Sequence, residues 1–400
     1  MKKTKTSKIC DFFYKCLAFA LPNDIFPFPR IELIAQSLFS KKYKEEFDGK
    51  LARCKNVHFM YNDKFANPTI DFINRHFPKE DNLFLLRRLV PDGYFAQKFP
   101  EGDNVFESDC RLLNAKKFGG KKLIFYSLFD QTAVRMLYKN PELLDTSYWD
   151  IWGGDLYNAP KNKANTFVRK NIYGIITTCD AELAKEKYGS KHAVFDAVVT
   201  VFPTHYEICK LSKLKKRQSE KDLTVVQINN SADASTLEML DILAKFKDEN
   251  IRIKTVLSYG NRRKFKKKII DRGNALFGDK FSYLDKMLSP AEYAEYLSEN
   301  DALILYQNRQ QGFGNIYNSL ILGSKVFVKS DVLTTQYFQK NGVEIFDSNK
   351  IKDMNFSEFC EISEEILVEN AKKVADLLSE ERLVDEFCKV FNDSCGGRKT

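Results

Sequence analysis

From about residue 55 onward, short apolar runs alternate with stretches whose apolar residues recur at helical spacing. "NVHFMY", "NLFLLRRLV", "KKLIFYSLF", "SYWDIWGG", "YGIITTC" and "HAVFDAVVTVF" read as strands, with "KFANPTIDFINRHF" and "DQTAVRMLYKNPELL" as helices between them. The polar, basic stretch "KLSKLKKRQSEK" interrupts this series over residues 210–221. It reads as a linker, although a solvated helix within one domain fits the same composition. A second series then begins: "LTVVQI", "STLEMLDILAKFKDE", "IRIKTVLSYG", "RRKFKKKIIDRGNALFG" and "KFSYL". Ser289, Pro290 and Glu292 predict a capping-box helix start with proline at the first helical position. "DALILYQ" is a buried strand, "NIYNSLILG" a helix ended by Gly323, and "KVFVK" the next strand. The stretch from about Phe356 to Phe391 reads as helical throughout and placed to pack across the domain junction.

Strands alternating with helices imply parallel sheets, so the expected class is α/β with two facing Rossmann-like domains. The expected division is a basic extension over 1–54, a first domain over 55–209, the linker over 210–221, a second domain over 222–354 and terminal helices over 355–400. The length of 400 residues suits two domains of about 150 to 200 residues. A composition 44% hydrophobic and 29% charged, with 33 Phe and 18 Tyr, supplies two cores. The net charge of +9 is dispersed and suits phosphorylated small molecules, an anionic membrane or nucleic acid without choosing among them.

Nine cysteines without a CxxC pair read as reduced thiols of a cytoplasmic chain. No apolar stretch approaches the roughly 20 residues that cross a bilayer. The N-terminal "MKKTKTSKICDFFYKCLAFALPND" has the basic start of a signal peptide, but Asp11 and Lys15 interrupt its apolar part. It reads as an uncleaved segment. Ile9, Phe12, Phe13, Cys16 and Leu17 form an apolar stripe that suits either an anionic membrane surface or the body of the protein.

The chemistry concentrates where strands end. "YQNRQQGFGN" leaves the carboxyl end of a strand and enters a helix, the place where ligands bind in open α/β sheets. A helix N-terminus offers free N–H groups to phosphate, Gly312 and Gly314 let backbone come close, and Arg309, Gln310, Gln311 and Asn315 supply polar side chains. An ordinary tight turn fits the same GxG. Asn229, Asn230 and Ser231 after one strand, and Tyr259, Gly260 and Asn261 after another, belong to the same sheet edge, which favours a nucleotide-phosphate cleft. In the first half, Trp152, Gly153, Gly154 and Asp155 form "WGGD". Asp155 is a candidate base aimed into the cleft, or else the cap of the next helix beside core tryptophans.

Absences narrow the choice. There is no Asp-x-Asp pair, His58, His76, His192 and His205 are scattered, and neither a P-loop nor a GxGxxG occurs, so no metal or dinucleotide cofactor is indicated. A nucleotide-dependent oxidoreductase and a non-catalytic glycan- or nucleic-acid-binding protein are the rival classes.

"RQQGFG", "WGGDLY", "SYG" and the paired strand-helix plan together resemble glycosyltransferase family 56 over roughly residues 55 to 350. Its known member transfers 4-acetamido-4,6-dideoxygalactose from the dTDP derivative to a lipid-linked intermediate of enterobacterial common antigen. The resemblance implies the GT-B architecture, inversion at the anomeric carbon, no metal requirement, and action at the cytoplasmic face of the inner membrane as a peripheral protein; no cofactor and no nucleic-acid partner are expected. It assigns Arg309, Gln310, Gln311, Gly312 and Gly314 to the donor loop with Tyr259 and Gly260 beside it, and Trp152, Gly153, Gly154 and Asp155 to the acceptor side. A UDP- or GDP-sugar transferase for capsule or lipopolysaccharide is the alternative within the same fold.

Overall fold

The computed structural model describes residues 41–87, 99–107, 110, 113–189, 191–205, 207–208, 224–228, 234–258 and 263–394. The N-terminal amphipathic stripe and the basic stretch 210–221 lie outside the described residues, as do Asn229, Asn230, Ser231, Tyr259, Gly260 and Asn261.

Two parallel sheets form the molecule. The first contains β1 (Asn56–Tyr61), β2 (Asn82–Arg87), β3 (Val105–Glu107), β4 (Lys122–Tyr126), β5 (Ser147–Asp150), β6 (Gly174–Ile176) and β7 (Ala193–Phe195), in the order β3-β2-β1-β4-β5-β6-β7. The second contains β8 (Thr224–Ile228), β9 (Ile251–Val256), β10 (Phe281–Leu284), β11 (Ala302–Leu305), β12 (Lys325–Val328) and β13 (Phe346–Asp347), in the order β10-β9-β8-β11-β12-β13. Every recorded pairing is parallel. Parallel strands carry helices on both faces and are buried on both, which is why β1, β2, β4 and β11 are nearly unbroken apolar runs.

Local chemistry fixes the element ends. The Ser289–Glu292 capping box forms as expected, with Pro290 opening the helix Pro290–Ser298. Gly323 ends the helix Phe313–Ile321 with φ +79, and Ser324 N–H returns to the Ser319 carbonyl at 2.8 Å. The run "HAVFDAVVTVF" is shorter as a strand than its apolarity implies. Only Ala193–Phe195 pairs, because β7 is the sheet edge, and the rest runs on as extended chain toward the second sheet.

The terminal stretch folds as three helices, in line with the expected helical end. Glu361 leaves the helical region after Phe356–Cys360, and Ser363 and Ser379 cap Glu364–Leu377 and Glu380–Phe391. These helices cross between the sheets. Val374 and Leu377 pack into a core with β11 and β12, while Leu383, Phe387 and Val390 pack into a core with β1, β2 and β4. Lys122, within β4, anchors the return by donating from Nζ to the Val390, Phe391 and Asp393 carbonyls at 2.7, 2.7 and 2.9 Å. The cation thus satisfies carbonyls that the last helical turn leaves open, and it favours that end of the helix dipole. No helix among the described residues is long and apolar enough to cross a membrane.

Candidate functional site

A cleft of about 2160 Å³, open to solvent, runs between the carboxyl ends of the two sheets. Its enclosed part, about 530 Å³, falls within the roughly 300–1,000 Å³ of ordinary ligand pockets. On the second-sheet side its floor is the loop Arg309–Gly312 and the start of the helix Phe313–Ile321. Gly312 is left-handed (φ +79, ψ +21) and serves as the N-cap without a side chain, so the first amide groups of the helix face the cleft uncovered. Gly314 keeps that surface low: a Cβ there would lie 3.0 Å from Phe202. Asn315 is buried and accepts a hydrogen bond from Tyr293 O–H at 3.1 Å. Beyond it Leu284, Met287 and Leu288, at the end of β10, add an apolar wall.

The first-sheet side is aromatic. Phe65 meets Trp152 and Phe202 edge-on at 5.1 and 6.2 Å between ring centres, and Phe129 stands 47% exposed at the rim. The two sides touch at the predicted residues. Arg309 lies over the Tyr157 ring at 5.9 Å, and Tyr157 O–H donates to Asp180 at 2.9 Å. Gln310 reaches Gly153 so closely that a Cβ built on Gly153 would stand 2.2 Å from Oε1. The structure therefore brings together Trp152, Gly153, Gly154, Arg309, Gln310, Gln311, Gly312, Gly314 and Asn315 at one cleft.

Asp155 is placed differently from the expectation. It is 1% exposed and is not part of the cleft lining. Its Oδ2 accepts from Leu128 N–H at 2.9 Å and Trp149 Nε1–H at 2.5 Å, and its Oδ1 accepts from Trp152 N–H at 3.0 Å. A carboxylate engaged by three donors inside the first core ties the ends of β4 and β5 together; it does not face an acceptor. Both open alternatives for the tryptophans resolve toward structure for Trp149, which is fully buried, whereas Trp152 lines the cleft.

The carboxylate that the sequence reading passed over is Asp150, the last residue of β5. Its Oδ2 accepts from Trp152 Nε1–H at 2.8 Å and Thr200 Oγ1–H at 2.9 Å. The rule that ligands lie at strand carboxyl ends was the available signal, since "SYWD" ends in it. Burial pushes this carboxyl up to about 7; the nearby Asp155 adds to the rise and the Trp152 and Thr200 hydrogen bonds oppose it. A carboxyl raised in the folded state favours folding below the ordinary value of 3.8, and that contribution is lost as pH climbs toward 7. Asp150→Asn is accordingly expected to raise stability at pH 8 by on the order of 2–4 kcal/mol and to change little at pH 4, as read by denaturant melts at the two pH values.

The fold is similar to solved glycosyltransferases. A glycosyltransferase from Rickettsia africae matches with TM-score 0.57 at 10% identity, over 84% of this chain and 98% of that one. A trehalose 6-phosphate synthase from Burkholderia multivorans gives TM-score 0.59 at 8% identity, over 85% and 98%. The Anabaena protein HepE, solved in complex with UDP and glucose, gives 0.57 at 11%, over 84% and 99%. At such identities the likeness is one of fold, and that fold is GT-B. The sequence itself matches the family model described as 4-alpha-L-fucosyltransferase, glycosyl transferase group 56, over residues 109–375. That match covers more than half of the chain and includes both sides of the cleft, from Asp150 to Asn315. The chain belongs to glycosyltransferase family 56 and is a GT-B glycosyltransferase.

Proposed function

We propose that this glycosyltransferase moves a deoxyamino sugar from a dTDP-linked donor to a lipid-linked glycan, with inversion, at the cytoplasmic face of the inner membrane during bacterial surface polysaccharide synthesis. The observation that carries the donor half is the uncovered N-terminus of the helix Phe313–Ile321 opening on the cleft beside Arg309. Oriented amide groups and a guanidinium are suited to a diphosphate, and they stabilise most strongly the charge that builds on it as the glycosidic bond breaks. The apolar wall of Leu284, Met287 and Leu288 suits the face of a nucleobase. On the acceptor side, the aromatic faces of Phe65 and Trp152 offer stacking surface to a sugar ring. We take the division into a first, acceptor domain (55–209) and a second, donor domain (222–354), joined at 210–221, as part of the same reading.

The test is a thermal-shift panel of dTDP, UDP, GDP and CMP. dTDP at a hundredfold over its Kd is expected to stabilise by about 2.7 kcal/mol and to give the largest shift. Arg309→Ala is expected to weaken that binding about tenfold to a hundredfold, the range for a lost charged hydrogen bond. A larger shift with UDP or GDP would move the donor to that nucleotide. No shift with any of the four would overturn the donor cradle.

A further inference from the structure

Inversion needs a base that takes a proton from the acceptor hydroxyl as its oxygen attacks the anomeric carbon. Asp155 is tied up inside the first core. Two other buried carboxylates beside the cleft are also committed elsewhere and do not line it: Asp63 accepts from Phe65 N–H at 2.9 Å, and Asp180 from Tyr157 O–H at 2.9 Å. Among the described residues that line the cleft, Asp150 is the only carboxylate, and there is no histidine.

We propose that Asp150 is the general base of sugar transfer and that Trp152 and Thr200 position it. Both neighbours donate to Oδ2, which fixes the plane of the carboxylate and leaves Oδ1 without a protein donor among the described residues. In the reaction Asp150 accepts the hydroxyl proton, and the acceptor oxygen forms its bond to the anomeric carbon. The bond from that carbon to the diphosphate oxygen breaks, and its electron pair leaves with the nucleoside diphosphate against Arg309 and the helix N-terminus. The products are the glycoside, the nucleoside diphosphate and a protonated Asp150, which returns its proton to solvent.

The titratable groups that face Asp150 are Asp155, within the same turn, and Tyr126 on the neighbouring strand β4; Lys64 and Arg309 lie farther along the cleft walls. With its carboxyl raised to about 7 by burial, Asp150 is ionised in part at neutral pH and is a stronger base than a surface carboxylate.

This inference rests on the nucleotide-sugar reading, so its test separates the two. Release of dTDP from dTDP-4-acetamido-4,6-dideoxygalactose is followed with a lipid-linked glycan extract, or water, as the acceptor. Asp150→Asn keeps shape and can still accept from Trp152 and Thr200; it is expected to lose about a thousandfold in turnover, within the range for general-base removal, while its dTDP-induced thermal shift stays unchanged. Thr200→Val removes a hydrogen bond that holds the carboxyl down, so the acid limb of its kcat/KM profile should move to higher pH, which a merely structural residue would not cause. Turnover of Asp150→Asn within tenfold of wild type overturns the assignment. So does an unmoved acid limb in Thr200→Val, which decides the matter even if Asp150→Asn does not fold. Wild-type protein that neither shifts with dTDP nor releases it would instead sink the donor reading.

Discussion

Asp155→Ala is expected to cost about 3–5 kcal/mol of folding stability, the range for removing one partner from a buried charge network. The substitution would strand three donors, the N–H groups of Leu128 and Trp152 and the Trp149 indole, two of them on fully buried residues. Each buried donor left without a partner costs about 1–3 kcal/mol. It would also remove the carboxylate nearest to Arg169, whose guanidinium is fully buried, lies 5.2 Å from the Trp149 ring centre and donates to the Leu128 and Asp155 carbonyls. Asp155→Asn, which retains the shape and one acceptor oxygen, should lose about half as much. Chemical denaturation checks both values. A folded, stable Asp155→Ala protein that had lost turnover alone would restore the catalytic reading of this residue, since a positioning carboxylate must show its effect in stability first.

The contrast between Asp155 and Asp150 explains how far the site was legible in the sequence. Strand identity was readable because parallel strands are covered on both faces, which leaves runs such as "NVHFMY" and "DALILYQ" with almost no polar interruption. The helix start at Ser289 was readable because a capping box is local chemistry. The loop Arg309–Asn315 was readable for the same reason: a glycine-bearing turn between strand and helix has one plausible place in a parallel sheet. The choice between two carboxylates five positions apart was not. It depends on the path of the chain at Gly153, which folds Asp155 back under β5 and leaves Asp150 at the cleft. The Asp150 carboxylate at the cleft is held by Thr200, fifty residues downstream, and such long-range contacts leave no periodic trace. The buried lysines were equally opaque. Lys122 and Lys325 sit in strands that ought to exclude charge, and each is satisfied by three carbonyls at the end of a helix far along the chain.

Gly153→Ala is expected to reduce turnover by at least about a hundredfold, since misplacement of reacting groups by about 1 Å suffices for that. Two separable effects meet at this residue. The first is local: Gly153 has φ +80 and ψ −66, and Gly154 N–H donates to the Trp152 carbonyl at 3.1 Å across it, forming a γ-turn of the positive-φ kind that L side chains strongly resist. Strain of about 1–3 kcal/mol is expected from alanine there, and it should appear in the melting of the first sheet whatever the second one does. The second effect lies across the cleft. The new methyl would stand 2.2 Å from Gln310 Oε1, an atom already buried without a hydrogen-bond partner, so the loop at Gln310 would have to withdraw from the turn at Gly153. Shortening Gln310 separates the two effects. In Gly153→Ala with Gln310→Ala, the collision is relieved and the strain is kept, so turnover should recover substantially while stability remains low. Full turnover in Gly153→Ala alone would mean that the contact between Gln310 and Gly153 is no part of the working conformation. Recovery in the double variant would instead identify the close approach of Gln310 to Gly153 as the point where donor and acceptor sides are brought into register for transfer.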